Sequence, residues 1–414
     1  NNRDLELAML DVAEARAQYG IEGAALFPEI GVSADGTRQR LPADLSGTGD
    51  STITSQYSVG LGVAAYELDL FGRVRSLQES ALQSYLATEA ARRSAQITLV
   101  SEVANAYLTL LADGQKLRIS EDTVAAQQAS VDLVRQRFDA GLAAELDVRQ
   151  AEIALETARA IRAQLRRQVE QDRNALSVLV SGPVPQTPEG NVIDPAVALL
   201  ASVPAGLDSS VLLQRPDIRQ AEFNLRAANA NIGAARAAFY PSITLTGSAG
   251  TASADLSGLF EGGSGTWSFA PSINLPIFTA GRLQGSLDVA EIRRDKAVVR
   301  YEQAIQTAFQ EVADALAARA YLAEQVEAQA SLVQATERSL TLAQARYEGG
   351  ADDYLAVLDA QRELLSARQT LVDTKLLRLS NRITLYRALG GGELATDETV
   401  VGTNSTDTSA PEAH

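Results

Sequence analysis

The sequence predicts a mainly α-helical protein with a share in a membrane β-barrel. Internally duplicated long coiled-coil helices form an α-barrel, and four β-strands per chain make a twelve-stranded barrel in a homotrimer. Three observations predict it. Short motifs return at a nearly constant offset, apolar residues recur every seven positions over long stretches, and two segments alternate at period two.

The offset comes first, because repeats set the architecture. Ala25-Leu26-Phe27-Pro28-Glu29-Ile30 returns as Ala238-Phe239-Tyr240-Pro241-Ser242-Ile243, and Asp4-Leu5 as Asp217-Ile218, both 213 positions on. Glu102-Val103-Ala104 matches Glu311-Val312-Ala313, and Arg137-Phe138-Asp139-Ala140-Gly141 matches Arg346-Tyr347-Glu348-Gly349-Gly350, both 209 positions on. The chain reads as two copies of one unit, the second four residues shorter in a loop. The domains are a first repeat at 1–181 (helix, β-hairpin, long helix, return helix), a linker at 182–212, a second repeat at 213–392 and a flexible tail at 393–414. The tail is rich in Thr, Asp, Ser and Glu with few apolar residues.

In each copy a helix leads, at 2–26 and 216–239, stopped by Pro28 and Pro241; Pro216 suits a first helical turn. Extended pairs follow, 29–40 with 54–69 and 242–254 with 266–278, inside membrane hairpins 28–71 and 241–278. Tyr57, Val59, Leu61 and Val63 alternate with Ser58, Gly60 and Gly62. Trp267, Phe269, Pro271, Ile273 and Leu275 alternate with Ser268, Ala270, Ser272 and Asn274. Long helices come next. Val103, Leu110, Leu117, Val124, Val131 and Phe138 keep a seven-residue spacing, as do Val312, Val326, Val333, Leu340 and Tyr347 around Arg319. The return helices carry Val148, Leu155, Val169 and Leu176, then Val357, Leu364, Leu371 and Leu385, interrupted by Arg162 and Arg378. A sustained seven-residue repeat means coiled-coil packing. Gly141 and Gly349-Gly350 end the outgoing helices where left-handed conformations are expected. Glu145, Asp147, Asp352 and Asp353 sit at the return-helix starts, favourable to the helix dipole.

Lengths add a constraint. The outgoing helix 73–138 has 66 residues, a rise of about 100 Å. The helices 2–26 and 144–179 together have 61 residues, so stacked end to end they nearly equal one long helix. Each copy then supplies two helical columns and the chain supplies four.

The hairpins are nearly free of charge: between 241 and 278 only Asp255 and Glu261 are ionisable acids or bases. Phe27, Phe71, Phe239, Tyr240 and Phe278 cluster at one end of them, as an interfacial aromatic girdle would. A soluble β-sandwich core is the alternative. Four strands bury little alone, however, and open edges are not viable in lipid. Two copies would give eight strands, whose interior fills with side chains; three give twelve, wide enough for water. Three copies also give twelve helical columns, so a trimeric tube explains both numbers.

Composition excludes other classes. The chain has 414 residues, no Cys, one Met (Met9) and one His (His414), with 52 acidic against 36 basic side chains for a net charge of −16. There is no disulfide framework, thiolate nucleophile or Cys-ligated zinc site. One terminal His supplies neither a catalytic triad nor a His-rich metal cage. Neither an enzyme nor a cofactor or metal site is expected. The acid excess argues against nucleic acid or an anionic lipid surface as the main partner. The longest apolar stretch, around Ala196 to Leu207, contains Ser202 and Pro204 and falls short of the roughly 20 residues of a spanning helix. Because the chain starts at Asn1, a removed export signal is expected ahead of it.

Four motifs carry a family resemblance. They are Leu213-Gln214-Arg215-Pro216-Asp217-Ile218, Gly233-Ala234-Ala235-Arg236-Ala237-Ala238-Phe239-Tyr240-Pro241-Ser242-Ile243, Glu67-Leu68-Asp69-Leu70-Phe71-Gly72-Arg73 and Tyr386-Arg387-Ala388-Leu389-Gly390-Gly391-Gly392. Together they resemble signatures of TolC-like outer-membrane efflux proteins, especially the OprM-like branch, and the likeness runs from Asn2 to about Gly392. The resemblance implies a homotrimer with its barrel in outer-membrane lipid of a Gram-negative bacterium and a long periplasmic α-helical portion. It implies an exit duct for drugs and small toxic compounds, meeting a periplasmic adaptor (membrane fusion) protein and an inner-membrane RND transporter. It further places the linker as a girdle around the middle of the helical barrel. OprM-like proteins usually begin with a lipid-carrying Cys and a periplasmic stretch, absent from this chain, so a lipid anchor would precede Asn1. Tyr66 stands where many relatives carry Trp.

The tip turns are the natural docking and gating region, with Asp139, Glu145, Asp147, Glu348, Asp352, Asp353 and Asp359 around them. Most of these read equally as capping acids, but Asp359 lies two turns into its helix, past any cap. The stretch from Asp353 to Arg362 resembles the family's periplasmic constriction. By that likeness Leu355 and Asp359 form closing rings, and Arg362, one turn on, pairs with carboxylates of a neighbouring column. Gln150 holds the place of Asp359 in the first copy. Gly141, Leu142, Gly349 and Gly350 are the expected adaptor contacts; plain turn geometry explains the glycines equally well. The competing functions are a duct of the same fold for proteins or metal ions, and a soluble coiled-coil scaffold.

Overall fold

The computed structural model of the protein describes residues 2–47, 49–184 and 209–391. The first copy runs α1 (Arg3–Ala24), β1 (Ile30–Leu41), β2 (Thr52–Leu68), α2 (Arg73–Asp139) and α3 (Glu145–Val180). After a 3-10 turn at Ser209–Gln214 the order recurs as α4 (Pro216–Ala237), β3 (Ser242–Ser253), β4 (Gly265–Asn274), α5 (Arg282–Glu348) and α6 (Tyr354–Ala388). The long helices α2 and α5 each have 67 residues. The expected last strand reached residue 278, but β4 ends at Asn274. Pro276 cannot donate to a ladder and closes the strand early. Most of the linker and the whole tail lie outside the described residues. No helix among the described residues is long and apolar enough to cross a membrane.

The chain divides into two compact units, each drawing on both copies. One comprises the described parts of Asn1–Ala8, Ala91–Ile218 and Ala304–His414; the other comprises those of Met9–Ala90 and Arg219–Gln303.

In the first unit the seven-residue spacing carries the core. Leu110, Val124 and Val131 of α2, Val148, Leu155, Val169 and Leu176 of α3, and Val357 and Leu364 of α6 are buried. Phe138 departs from the pattern at 42% exposure. The turn at Gly141 carries the chain away before any side chain covers it. On α6 Leu385 is buried in the expected register, and Val372 and Leu379 are buried one position on from it, so adjacent seven-residue rows share the core. Arg378 lies in the first row and Leu379 in the second.

The duplication extends to single hydrogen bonds. Arg215 is buried; it donates to Asp217 at 2.6 Å, Glu311 at 2.8 Å and the Ala388 carbonyl of α6 at 2.7 Å. Its counterpart Asn2 donates to the Leu179 carbonyl of α3 at 3.0 Å, while its own oxygen caps the Asp4 and Leu5 amides. Leu179 and Ala388 are 209 positions apart. Two of the family-like motifs, at 213–218 and 386–391, therefore meet in one anchor.

In the second unit the strands form one antiparallel sheet in the order β1-β2-β3-β4. Its register sorts side chains by face. Ile30, Val32 and Ala34 pair with Val63, Leu61 and Val59, and these last three pair with Gly247, Ala249 and Thr251. Gly247 and Ala249 continue to Phe269 and Trp267. The opposite face carries Ser33, Asp35, Gly60, Gly62, Ser248, Gly250 and Ser268. A bulge between Val63 and Tyr66, with Ala65 at φ 51°, adds one residue to β2. It keeps Tyr66 and Leu68 on the apolar face despite the change of parity, opposite Leu245 and Ile243. Gly60 and Gly250 approach so closely that a Cβ on Gly250 would lie 2.2 Å from the Val59 carbonyl oxygen. The motif at 67–73 starts α2: Asp69 accepts from the Val74 and Arg75 amides at 3.1 and 2.9 Å, and Arg73 grips Glu67 at 2.8 Å. Tyr66, where relatives carry Trp, donates its hydroxyl to the Leu26 carbonyl at 2.9 Å.

A carboxyl pair faces across α3 and α2, with Asp113 buried and Asp172 half-buried. Asp172 Oδ1 accepts from Gln168 at 2.9 Å, whereas its buried Oδ2 has no donor among the described residues. Burial, and after it the facing Asp113, raises the Asp172 pKa above its ordinary 3.8, against the Gln168 amide. A raised folded-state pKa gives stability that is complete below pH 3.8 and lost as pH rises through the raised value. Asp172→Asn removes this penalty. Its melting temperature at pH 7 is expected above wild type, with the gap closing as the pH falls towards 3.8; a lower melting temperature at pH 7 contradicts the pairing.

Candidate functional site

The helix tips of the first unit are built by one motif used twice. At the end of α2 the Leu142 amide donates to the Arg137 carbonyl and the Gly141 amide to that of Phe138, both at 2.8 Å. At the end of α5 the Ala351 amide donates to Arg346 at 2.9 Å and the Gly350 amide to Tyr347 at 3.1 Å. Gly141 and Gly350 take the left-handed position, at φ 76° and 73°; Gly349, like Ala140, stays helical. Only Gly350 of the Gly349-Gly350 pair is therefore required by the turn. Leu142 is 70% exposed, an apolar side chain held out to solvent by a fixed backbone.

The return helices start differently. Asp147 reaches back to accept from the Ala144 amide at 3.0 Å, and Asp353 reaches forward to accept from Ala356 at 3.3 Å. Arg346 clamps Asp352 through two hydrogen bonds, at 2.5 and 2.9 Å, which hold its carboxyl below the usual range. Arg135 and Arg149 share Glu152 at 2.6 and 2.9 Å. Of the acids that read as capping groups, Asp147 and Asp353 are caps, and Glu145 and Asp352 are ion-paired.

Asp359 lies on the solvent face of α6. Tyr354, Val357, Leu358 and Gln361 turn inward to the core shared with Val131, Val134, Val148 and Leu155, which leaves Leu355, Asp359 and Arg362 outside. Leu355 and Asp359 are one turn apart, and both are exposed. Arg362 donates to Asp359 of its own helix at 3.3 Å.

Sequence reading missed the polar and aromatic support behind this face. Gln361 accepts from Gln127 of α2 at 2.9 Å, both side chains buried in the apolar seam. Tyr347 and Tyr354 meet at 5.2 Å between ring centres, with the Arg137 guanidinium 4.8 Å over the Tyr347 ring. Burial pushes both phenols up, and the Tyr347 hydroxyl has no partner among the described residues. The only sequence signal was Tyr347 at a seven-residue position where Phe138 stands in the first copy.

The girdle residues lie in the second unit. Phe27, Phe71, Phe239, Tyr240 and Phe278 are all exposed, and Phe71 stacks on Tyr240 at 4.8 Å.

The family described as "Outer membrane efflux protein" matches residues 1–182 and 207–391. The chain is 53% identical over 392 residues to the antibiotic efflux pump outer membrane protein ArpC of Pseudomonas putida, a match covering 95% of this chain and 81% of ArpC. It is equally similar, over the same shares, to the toluene efflux pump outer membrane protein TtgC of the same species. Its fold matches the open-state MtrE outer membrane channel of Neisseria gonorrhoeae with a TM-score of 0.85 at 43% identity, over 95% of this chain and 87% of that one.

The tip geometry sets a prediction. Gly350→Ala puts a Cβ at positive φ and is expected to cost about 1 kcal/mol. Gly349→Ala, which reproduces Ala140 of the first copy, is expected to be near neutral. Equal melting temperatures for the two variants would contradict the assignment of Gly350 as the turn residue.

Proposed function

This chain belongs to the outer membrane efflux protein family and is an outer-membrane component of an efflux system; from that premise we propose a homotrimeric exit duct. Three copies close their sheets edge to edge into one twelve-stranded barrel, and their helices form the periplasmic tube. The repeats 1–181 and 213–392 each give it two strands and two helical columns. One observation carries this reading. β1 and β4 are the outer strands of the sheet, each with one edge that pairs with no strand among the described residues. Hydrocarbon offers no partner for those N–H and C=O groups. Pairing β4 of one copy with β1 of the next removes both edges. The two faces of the sheet suit two solvents, with Val32, Leu61, Trp267 and Phe269 for lipid and Ser33, Gly60, Ser248 and Ser268 for a water-filled lumen.

The duct is passive and performs no reaction of its own. Drugs and small toxic compounds enter from an inner-membrane RND transporter through a periplasmic adaptor, which contacts the tips at Gly141, Leu142, Gly349 and Gly350. The relatives named for antibiotic and toluene efflux support such cargo. Phe27, Phe71, Phe239, Tyr240 and Phe278 meet the membrane interface. Leu355 and Asp359 narrow the periplasmic entrance, each repeated three times around the axis, with Arg362 holding Asp359; a carboxylate ring there favours cations. Their exposure on α6, opposite its buried face, supports the role.

Replacing Leu355 and Asp359 together with Ala is expected to raise single-channel conductance in planar bilayers and weaken cation preference; unchanged conductance removes both from the gate. Gly141→Trp or Gly349→Trp is expected to abolish drug export in cells while trimers still reach the outer membrane. Retained export would rule out adaptor contact there.

A further inference from the structure

The sheet register singles out two side chains that the duct reading does not use. Arg38 and Arg40 are the only basic residues in 27–72, and 238–281 has none. Both are exposed on β1. Arg38 pairs with Ser55 and Arg40 with Ile53, so both point to the face that carries Ile30, Val32, Leu61 and Val63. They are on the lipid side of the sheet, not the lumen side.

Their height follows from the same register. The apolar face begins at the row of Leu68, Ile243 and Ile273 and reaches the row of Tyr57, Gly36 and Ser253. Along β3 that is ten residue steps, about 34 Å of strand. At a tilt of about 40° this becomes roughly 26 Å, close to the roughly 25 Å apolar band of an outer-membrane barrel. Tyr57 stands at its outer limit, as an aromatic girdle residue does. Arg38 and Arg40 lie two and four residues beyond Tyr57, about 5 and 10 Å higher. The β1–β2 loop follows, on the side of the sheet away from α1 and α2, so this is the level of the outer-leaflet headgroups.

Two guanidinium groups on one face, two residues apart, form a pair of planar forks about 7 Å apart, a geometry suited to phosphate oxygens. Arg40 touches only the Ser51 hydroxyl, at 3.3 Å, and neither arginine has a carboxylate partner among the described residues. Asp35, Asp44 and Asp50 are the acids of β1 and the β1–β2 loop, Asp35 on the opposite face of the strand, and none pairs with either arginine among the described residues.

We propose that Arg38 and Arg40 bind the phosphate groups of an outer-leaflet glycolipid and fix the barrel's depth against them. The inference rests on the barrel reading given above. The ligand is lipid-borne phosphate, since both side chains stand on the apolar face, just beyond its outer row at Tyr57, where long cationic side chains keep their heads in the polar layer.

The test uses the full chain in detergent, with diphosphoryl lipid A, its dephosphorylated form and inorganic phosphate as probes. Wild type is expected to bind the diphosphoryl lipid at least about tenfold more tightly than the dephosphorylated one. The Arg38→Gln/Arg40→Gln variant should lose that preference, and millimolar inorganic phosphate should not compete. Binding of the variant that matches wild type would overturn the proposal, as would no preference in wild type or displacement by free phosphate. Planar-bilayer conductance is recorded on the same samples. A conducting wild type that is indifferent to lipid phosphate sinks this inference alone, whereas a wild type that never conducts sinks the duct reading.

Discussion

The constraint on which the proposed assembly depends is a sheet whose two outer strands have no further strand beside them among the described residues. Four antiparallel strands give an apolar face, a polar face and two free edges. In water such a sheet is marginal, and in hydrocarbon its edges cost several kcal/mol per unsatisfied group. Closure with further copies answers both problems, and the proposed trimer is the smallest ring wide enough to keep a lumen. In the proposed trimer the helices would share that symmetry, with four columns per chain to match four strands. In the proposed trimer Asp359, exposed and paired only with Arg362 of its own helix among the described residues, would be repeated three times around the axis.

The helical unit solves a separate problem, the alignment of helices 67 residues long. A plain seven-residue seam gives cohesion but weak registry, since neighbouring heptads are alike. The buried Gln127–Gln361 pair, the Lys116 bridge from Asp113 to Asp373, at 3.0 and 2.5 Å, and the Arg215 anchor each fix one level along the seam. Polar groups of this kind contribute specificity more than net stability.

Much of this was legible in the sequence because duplication is a comparison of the chain with itself. The offsets of 213 and 209 locate the strands, the tips and even the Asn2 and Arg215 anchors. Alternation identified the apolar and polar faces of the sheet because side chains in a strand alternate without drift. Helical seams drift, so the second buried row at Val372 and Leu379 and the exposure of Phe138 were hidden, as was the bulge at Ala65, where a one-residue insertion reverses the parity on which alternation depends. The support of the α6 face by Tyr347, Tyr354 and Gln127 depends on contacts between helices that are more than 200 residues apart in the chain for the Gln127–Gln361 pair, and no local pattern records them.

The central claim is that three chains close one barrel. The most direct measurement is the mass of the purified, detergent-solubilised particle after subtraction of bound detergent. A protein mass three times the 43.9 kDa chain is predicted. A stable dimer, whose eight strands would fill their own interior, or a monomer that stays folded and stable would contradict it.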